Sequence, residues 1–267
     1  MSIQLVIFDF DGTLADTHST IIATVQQTLQ ELGHPIACEE AITATIGLPL
    51  RECYRRFVPG IDEKGIDACE ATHHRLFDIN RKANPPVPFP HVMETIGWLR
   101  QRGIKTTIAS SRTTFSLHDL LNDMGITNAF DYILGAEDVI HPKPYPEPVL
   151  LTLRKMDINA THTLVVGDMG VDILMGARAG CKTVGVTFGN GTREELTDKP
   201  DCNTFDVKAA QAGMDVRVLR KFPRDLYLFA RSGFHCDLHP RWSYDGKVAY
   251  FDSIHEGLRQ IYAVEGL

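Results

Sequence analysis

Residues 3–10 constrain the fold more than any other stretch of the chain: they form an apolar run interrupted only by Gln4 and Asp9. A run without polar alternation suits a strand buried on both faces, as in a parallel sheet covered by helices on either side. Similar short runs recur at residues 105–110 (KTTIAS), 132–134, 163–166 (TLVV) and 183–186 (TVGV). Helical patterns fill the intervals at residues 92–102, 116–124, 146–156 and 171–179. Strand alternating with helix predicts an α/β fold, a doubly wound, mainly parallel sheet. In such sheets ligands sit beyond the carboxyl ends of the strands.

Residues 17–85 break this rhythm. They carry helical patterns, as at 19–32 and 51–57, and no convincing strand, which predicts an α-helical insertion. Pro85, Pro86, Pro88 and Pro90 mark the return of the chain to the core. The expected organisation is a core formed by residues 1–16 and 86–213, with an inserted helical unit at 17–85. Residues 214–267 form a separate β-rich tail. There, aromatic residues alternate with turn pairs such as Asp245-Gly246 and Glu256-Gly257, and residues 247–252 and 260–264 read as a short hairpin.

The chemistry concentrates at predicted strand ends. Asp9 and Asp11 stand at i and i+2 on an extended segment, so their side chains point the same way, and Gly12 allows a sharp turn. Ser110 ends the second run, followed by Ser111 and Arg112. Lys143 lies between two prolines, Asp168 ends TLVVGD, and Asp172 follows four residues later. Each has an ordinary structural explanation as a cap, a loop charge or a dipole partner. Their joint appearance at four strand ends points to one shared site.

These motifs resemble those of the haloacid dehalogenase-like (HAD) hydrolase superfamily, over about residues 1–213. Asp9-x-Asp11-Gly12-Thr13 is similar to its first motif, Ser110 to its second, Lys143 to its third, and Gly167-Asp168-x-x-x-Asp172 to its fourth. The stretches 135–148 and 185–191 resemble the phosphoglycolate phosphatase and pyrophosphatase branch, and the helical insertion resembles that branch's cap. The resemblance implies a phosphohydrolase using Mg2+. Asp9 would be the nucleophile and Asp11 the general acid and base. Ser110 and Lys143 would hold phosphate oxygens, with Gly12, Thr13 and Ser111 beside them. Asp9, Asp168 and the Asp11 backbone carbonyl would bind the metal, supported by Asp172. An acid at position 11 favours phosphoryl transfer over dehalogenation, because a halide leaves without a proton.

Arg51 and His18 are candidate contacts for the non-reacting end of a small phosphorylated metabolite, since a guanidinium fork fits a carboxylate or second phosphate. The other basic residues of the insertion, Arg55, Arg56, Arg75, Arg81 and Lys82, read as surface charges. Inorganic pyrophosphate hydrolysis and sugar-phosphate mutase activity are alternatives on the same fold. A non-catalytic binding role centred on the tail is an alternative of another class.

A net charge of -7 and pI near 5.9 argue against nucleic acid and membrane surfaces as partners. Six cysteines without a Cys-x-x-Cys pair, no leader pattern at the N-terminus and no apolar run approaching ~20 residues point to a cytoplasmic, soluble protein. Residues 239–262 resemble a single repeat of a TolB-like β-propeller, whereas closed propellers need roughly four to eight blades. Docking or homo-oligomerisation through this tail is therefore expected. His235, Cys236 and His239 make a poor metal site, with three ligands on one short segment.

Overall fold

The computed structural model describes residues 3–192 and 195–196 with their side chains. Beyond these it describes the backbone of the strands Cys202–Phe205, Arg241–Trp242, Val248–His255 and Leu258–Glu265. The central sheet takes β1 (Leu5–Phe8), β4 (Lys105–Ala109), β5 (Tyr132–Leu134), β6 (Thr163–Gly167), β7 (Lys182–Val186) and β8 (Cys202–Phe205). All its pairings are parallel, in the order β5-β4-β1-β6-β7-β8. This is the doubly wound order, in which the chain first builds outward on one side of β1 and then on the other.

The lack of alternation in β1 has a direct structural reading, because all four of its residues are buried. Leu5 and Ile7 pack with Ala109, Val149, Val165 and Met175 on one face. Val6 and Phe8 pack with Ile108, Leu117, Leu164 and Val166 on the other. Each such side chain contributes about 1.5–3 kcal/mol by burial. Helices α5 (Val92–Gln101), α6 (Thr114–Asp123), α7 (Glu147–Met156) and α8 (Gly170–Arg178) supply the two covering layers. Each lies within two residues of its expected bounds at either end.

The strand ends earlier than the apolar run does: β1 stops at Phe8, and Asp9 and Phe10 enter a tight loop. The Phe10 carbonyl accepts from the amides of Leu14 and Ala15 at 2.9 and 3.1 Å. Two short strands, β2 (Ala15–Asp16) and β3 (Val87–Pro88), pair antiparallel. Between them lie α1 (His18–Glu31), α2 (Glu39–Thr43), α3 (Leu50–Phe57) and α4 (Glu63–Ala83). Their own core includes Val25, Leu29, Ile42, Tyr54, Ile66 and Cys69. The 21-residue α4 starts at Asp62, whose carboxylate accepts from the Gly65 amide at 2.8 Å.

One surface assignment is overturned. Arg81, expected to be a solvated charge, is only 9% exposed. Its guanidinium pairs with Asp78 on its own helix and with Asp119 and Asp123 of α6, at 2.9, 2.8 and 2.5 Å. A buried charge requires partners, and these come from a helix of the core, 38 and 42 residues away. Arg55, Arg56, Arg75 and Lys82 are exposed, as expected.

Among the described residues, no helix is long and apolar enough to cross a membrane. The backbone of the tail forms a separate antiparallel sheet, in which β10 (Val248–His255) pairs with β11 (Leu258–Glu265) and with β9 (Arg241–Trp242). The hairpin is longer than expected, its ladder running from Val248 opposite Glu265 to His255 opposite Leu258. The propeller-like side-chain pattern, His235, Cys236 and His239, and any self-association through this segment lie outside the described residues.

Candidate active site

Three strand ends and one loop deliver the predicted residues to one place. Asp9 follows β1, Ser110 follows β4, and Asp168 follows β6. Lys143 comes from the loop before α7, and Asp172 from the first turn of α8. All five are buried. The Lys143 ammonium donates to Asp9 Oδ1 at 2.5 Å and to Asp172 Oδ1 at 2.6 Å. Carboxylate oxygens of Asp9, Asp168 and Asp172 lie within 4.8 Å of one another.

Three buried carboxylates face one ammonium, and the electrostatics reflect that imbalance. Burial pushes the Asp9 carboxyl well above its ordinary range, and Asp172, Asp168 and Asp11 add to the rise; Lys143 opposes it. Asp168 is pushed up to about 7 by burial and by Asp172, despite hydrogen bonds from Asn190 and Thr13. Burial alone would lower Lys143, but Asp172 and Asp9 outweigh it and hold the ammonium above its ordinary value. An oxygen-only donor set with surplus negative charge is the chemistry that a hard divalent cation satisfies.

A backbone cradle holds this cluster. Asp168 Oδ1 accepts from Thr13 Oγ1 at 3.0 Å, and Oδ2 accepts from the Asn190 amide at 2.6 Å. Gly12 has φ +84°, and a Cβ there would lie 2.1 Å from Asp168 Oδ2 and 2.3 Å from Asn190 Nδ2. Gly12→Ala therefore combines a disfavoured backbone with a clash against the site. The expected loss is roughly 2–3 kcal/mol, or a melting temperature about 5–10 °C lower. Turnover should fall about a hundredfold or more as Asp168 is displaced. Thermal denaturation and steady-state kinetics check both, and wild-type values in either would refute the cradle's role.

Asp11 is held differently. Arg112 Nε donates to Asp11 Oδ2 and Nη2 to Oδ1, both at 2.7 Å, and Thr17 Oγ1 donates to Oδ1 at 2.6 Å. The guanidinium carbon lies 4.4 Å above the ring of Phe77 on α4. Ser110 Oγ accepts from the Arg112 amide at 3.2 Å, and Ser111 Oγ donates to the Gly47 carbonyl of the insertion at 2.6 Å.

Above the cluster lies a cavity of about 380 Å³, lined from the core by Asp9, Asp11, Ser110, Ser111 and Arg112 and from the insertion by Gly47, Arg51 and His73 among others. Arg51 reaches the cavity wall, but its guanidinium is held by Glu63, Asp67 and Glu70 at 2.8, 2.8 and 2.7 Å. His18 is not among the lining residues, and its Nε2 hydrogen-bonds Thr43 Oγ1 at 2.9 Å. His73, buried against Phe77, shares a 2.9 Å hydrogen bond with the Tyr54 hydroxyl. Burial, with His74 and Arg112 nearby, lowers its pKa to about 3 and keeps it neutral.

Sequence reasoning gave no role to Arg112, Thr17, Asn190 or His73. Arg112 stands two residues after Ser110, and Asn190 lies between two glycines whose Cβ atoms would strike Gly12, Asp168 or Met169. Those glycines were the available signal for a close backbone approach.

Fold and cluster together define a carboxylate-centred site at the carboxyl edge of a parallel sheet. The family model for haloacid dehalogenase-like hydrolases matches residues 6–186. Pyrophosphatase PpaX of Oceanobacillus iheyensis is 36% identical over 209 residues, covering 78% of this chain and 95% of the relative. Phosphoglycolate phosphatase of Pseudomonas putida is 30% identical over 215 residues, covering 79% of each chain. In fold, the chain is similar to CbbY from Rhodobacter sphaeroides in complex with phosphate, with a TM-score of 0.67 at 20% identity, over 76% of this chain and 93% of that one. The chain belongs to the haloacid dehalogenase-like hydrolase family.

Proposed function

We propose that this protein is a magnesium-dependent phosphatase of small metabolites, with phosphoglycolate-like esters as its first substrates. One observation carries the proposal: the buried Asp9 carboxylate shares a pocket with Lys143, at 2.5 Å, and with oxygens of Asp168 and Asp172. A nucleophilic carboxylate needs such surroundings before it can approach an anionic phosphate.

Asp9 attacks phosphorus; the ester P–O bond breaks and an aspartyl-phosphate forms on Asp9. The departing alkoxide takes a proton from Asp11. Asp11, now a carboxylate, takes a proton from a water whose oxygen attacks the same phosphorus. The bond to Asp9 breaks, releasing inorganic phosphate and restoring the free carboxylate. Lys143 and Ser110 hold the non-bridging oxygens, with Ser111 at the cavity wall and the Gly12–Thr13 turn acting from behind, through Asp168. Asp9, Asp168 and the Asp11 carbonyl would hold magnesium, with Asp172 in support. Bound there, it would neutralise charge between carboxylates and phosphate. The helical insertion acts as a cap that excludes water.

Inorganic pyrophosphate is the second candidate, supported by the 36% identity to the pyrophosphatase relative across 95% of its length. Four unpaired thiols among the described residues, Cys38, Cys53, Cys69 and Cys181, suit a reducing cytoplasm. A phosphate-release panel of metabolite esters and pyrophosphate, run with magnesium and with chelator, tests the function. Magnesium-dependent release from at least one compound is expected; none from any compound would end the proposal.

A further inference from the structure

The cavity has few cations able to meet a substrate's non-reacting end. Arg51 is spent on three carboxylates of α4, and His73 is tied to Tyr54 and buried. Lys143 lies beneath, between Asp9 and Asp172. Arg112 is different: among the described residues it has one carboxylate partner, Asp11. That partner is the proposed proton carrier, and in this arrangement its carboxylate only accepts hydrogen bonds, from Arg112 and Thr17.

We propose that Arg112 is transferred from Asp11 to a second anionic group on the substrate, so that a substrate carrying such a group frees Asp11 for proton transfer. The inference rests on the phosphatase reading above and names its substrate class: short phosphoesters or phosphoanhydrides whose leaving group bears a carboxylate or another phosphate. Arg112 follows the phosphate-holding Ser110 by two residues, and its amide donates to the Ser110 hydroxyl at 3.2 Å. The second anion must therefore lie within a few bonds of phosphorus.

The exchange is close to neutral when the substrate supplies an anion, because one forked guanidinium–oxyanion pair replaces another. The released Asp11 carboxylate takes from solvent the proton that it then gives to the leaving oxygen. With an uncharged leaving group, the Asp11–Arg112 pair has to break without a replacement. That pair is largely buried, its side chains 13% and 11% exposed. Breaking such a pair should slow turnover roughly a hundredfold. The Phe77 ring under the guanidinium lets it shift toward the cavity while one face stays covered.

The test compares 2-phosphoglycolate with 2-hydroxyethyl phosphate, which exchanges the carboxylate for a neutral hydroxymethyl group, in wild type, Arg112→Met and Arg112→Lys. Pyrophosphate and a sugar bisphosphate form the arm in which the second anion is a phosphate. Wild-type kcat/KM should favour the doubly anionic substrates by roughly a hundredfold or more. In Arg112→Met that preference should fall below about tenfold, through loss of kcat as well as rise in KM on phosphoglycolate, and through faster turnover of the neutral ester. Arg112→Lys, which keeps charge without the fork, should fall between and guards against misfolding of the methionine variant. A wild-type preference near one, or a preference retained in both variants, overturns the exchange while leaving the phosphatase reading intact. Absence of turnover on every ester overturns both.

Discussion

Asp9→Asn is expected to reduce turnover on any phosphoester by on the order of 10⁴-fold or more, because the amide can neither attack phosphorus nor carry the phosphoryl group. The same change should not destabilise the metal-free protein. Removing one partner of a buried ion pair is usually costly, but Lys143 retains Asp172 at 2.6 Å. The Asp9 carboxylate, meanwhile, faces Asp172, Asp168 and Asp11 in a buried site. Its folded pKa lies above the unfolded value. Such a group contributes stability that is present in acid and is lost as pH rises through the folded pKa. In chelator, wild type should therefore weaken relative to Asp9→Asn as pH rises from about 4, by at most about 1.4 kcal/mol per pH unit. Added magnesium should recover more stability in wild type than in the variant. Melting curves across pH, with and without metal, measure this; full activity in Asp9→Asn would remove the nucleophile from the proposal.

The stability and activity outcomes share one cause. The carboxylates at positions 9, 168 and 172 come together because β1 and β6 are adjacent and α8 starts just after β6. This much was legible in the sequence, since buried parallel strands show as apolar runs and each chemical residue closes or follows one. The insertion was harder to read for a physical reason. The buried positions of α4 are Ile66, Cys69, His73, Leu76, Phe77 and Arg81. The helical spacing is present, but a histidine and an arginine occupy part of the stripe, so an apolar pattern alone loses it. Arg81 is buried because Asp119 and Asp123 wait on α6. Arg112 meets Asp11 because β1 and β4 are adjacent, and it meets Phe77 because the insertion rests over the core. Such pairings depend on contacts between segments far apart in the chain, which no local pattern reports. Arg51 shows the converse: a suitable ligand for an anion by type, it is already satisfied by three acids one helix away.

Asp11→Asn should separate the two halves of the reaction. On an alkyl ester such as phosphoglycolate, the leaving alkoxide needs a proton, so loss of the acid should cost about 10²–10⁴-fold. An aryl phosphate with a nitrophenolate leaving group departs without protonation, so its first step should survive the substitution. Attack of water on the aspartyl-phosphate still needs a base, and an amide cannot serve. The variant should then release about one equivalent of nitrophenol per enzyme in a rapid burst and stall with the phosphoryl group on Asp9. Metal affinity should be little changed, because position 11 is expected to hold the ion through its backbone carbonyl, which the substitution preserves. The amide also loses the charge that engages Arg112 at 2.7 Å, so the guanidinium is released toward the cavity. Binding of phosphoglycolate should therefore hold or tighten even as its turnover collapses. Rapid-quench trapping of the phosphorylated enzyme distinguishes this outcome from general damage, since a misfolded site would give neither burst nor covalent phosphate. A burst-free variant that turns over aryl and alkyl esters at the wild-type rate would assign the proton to some other group.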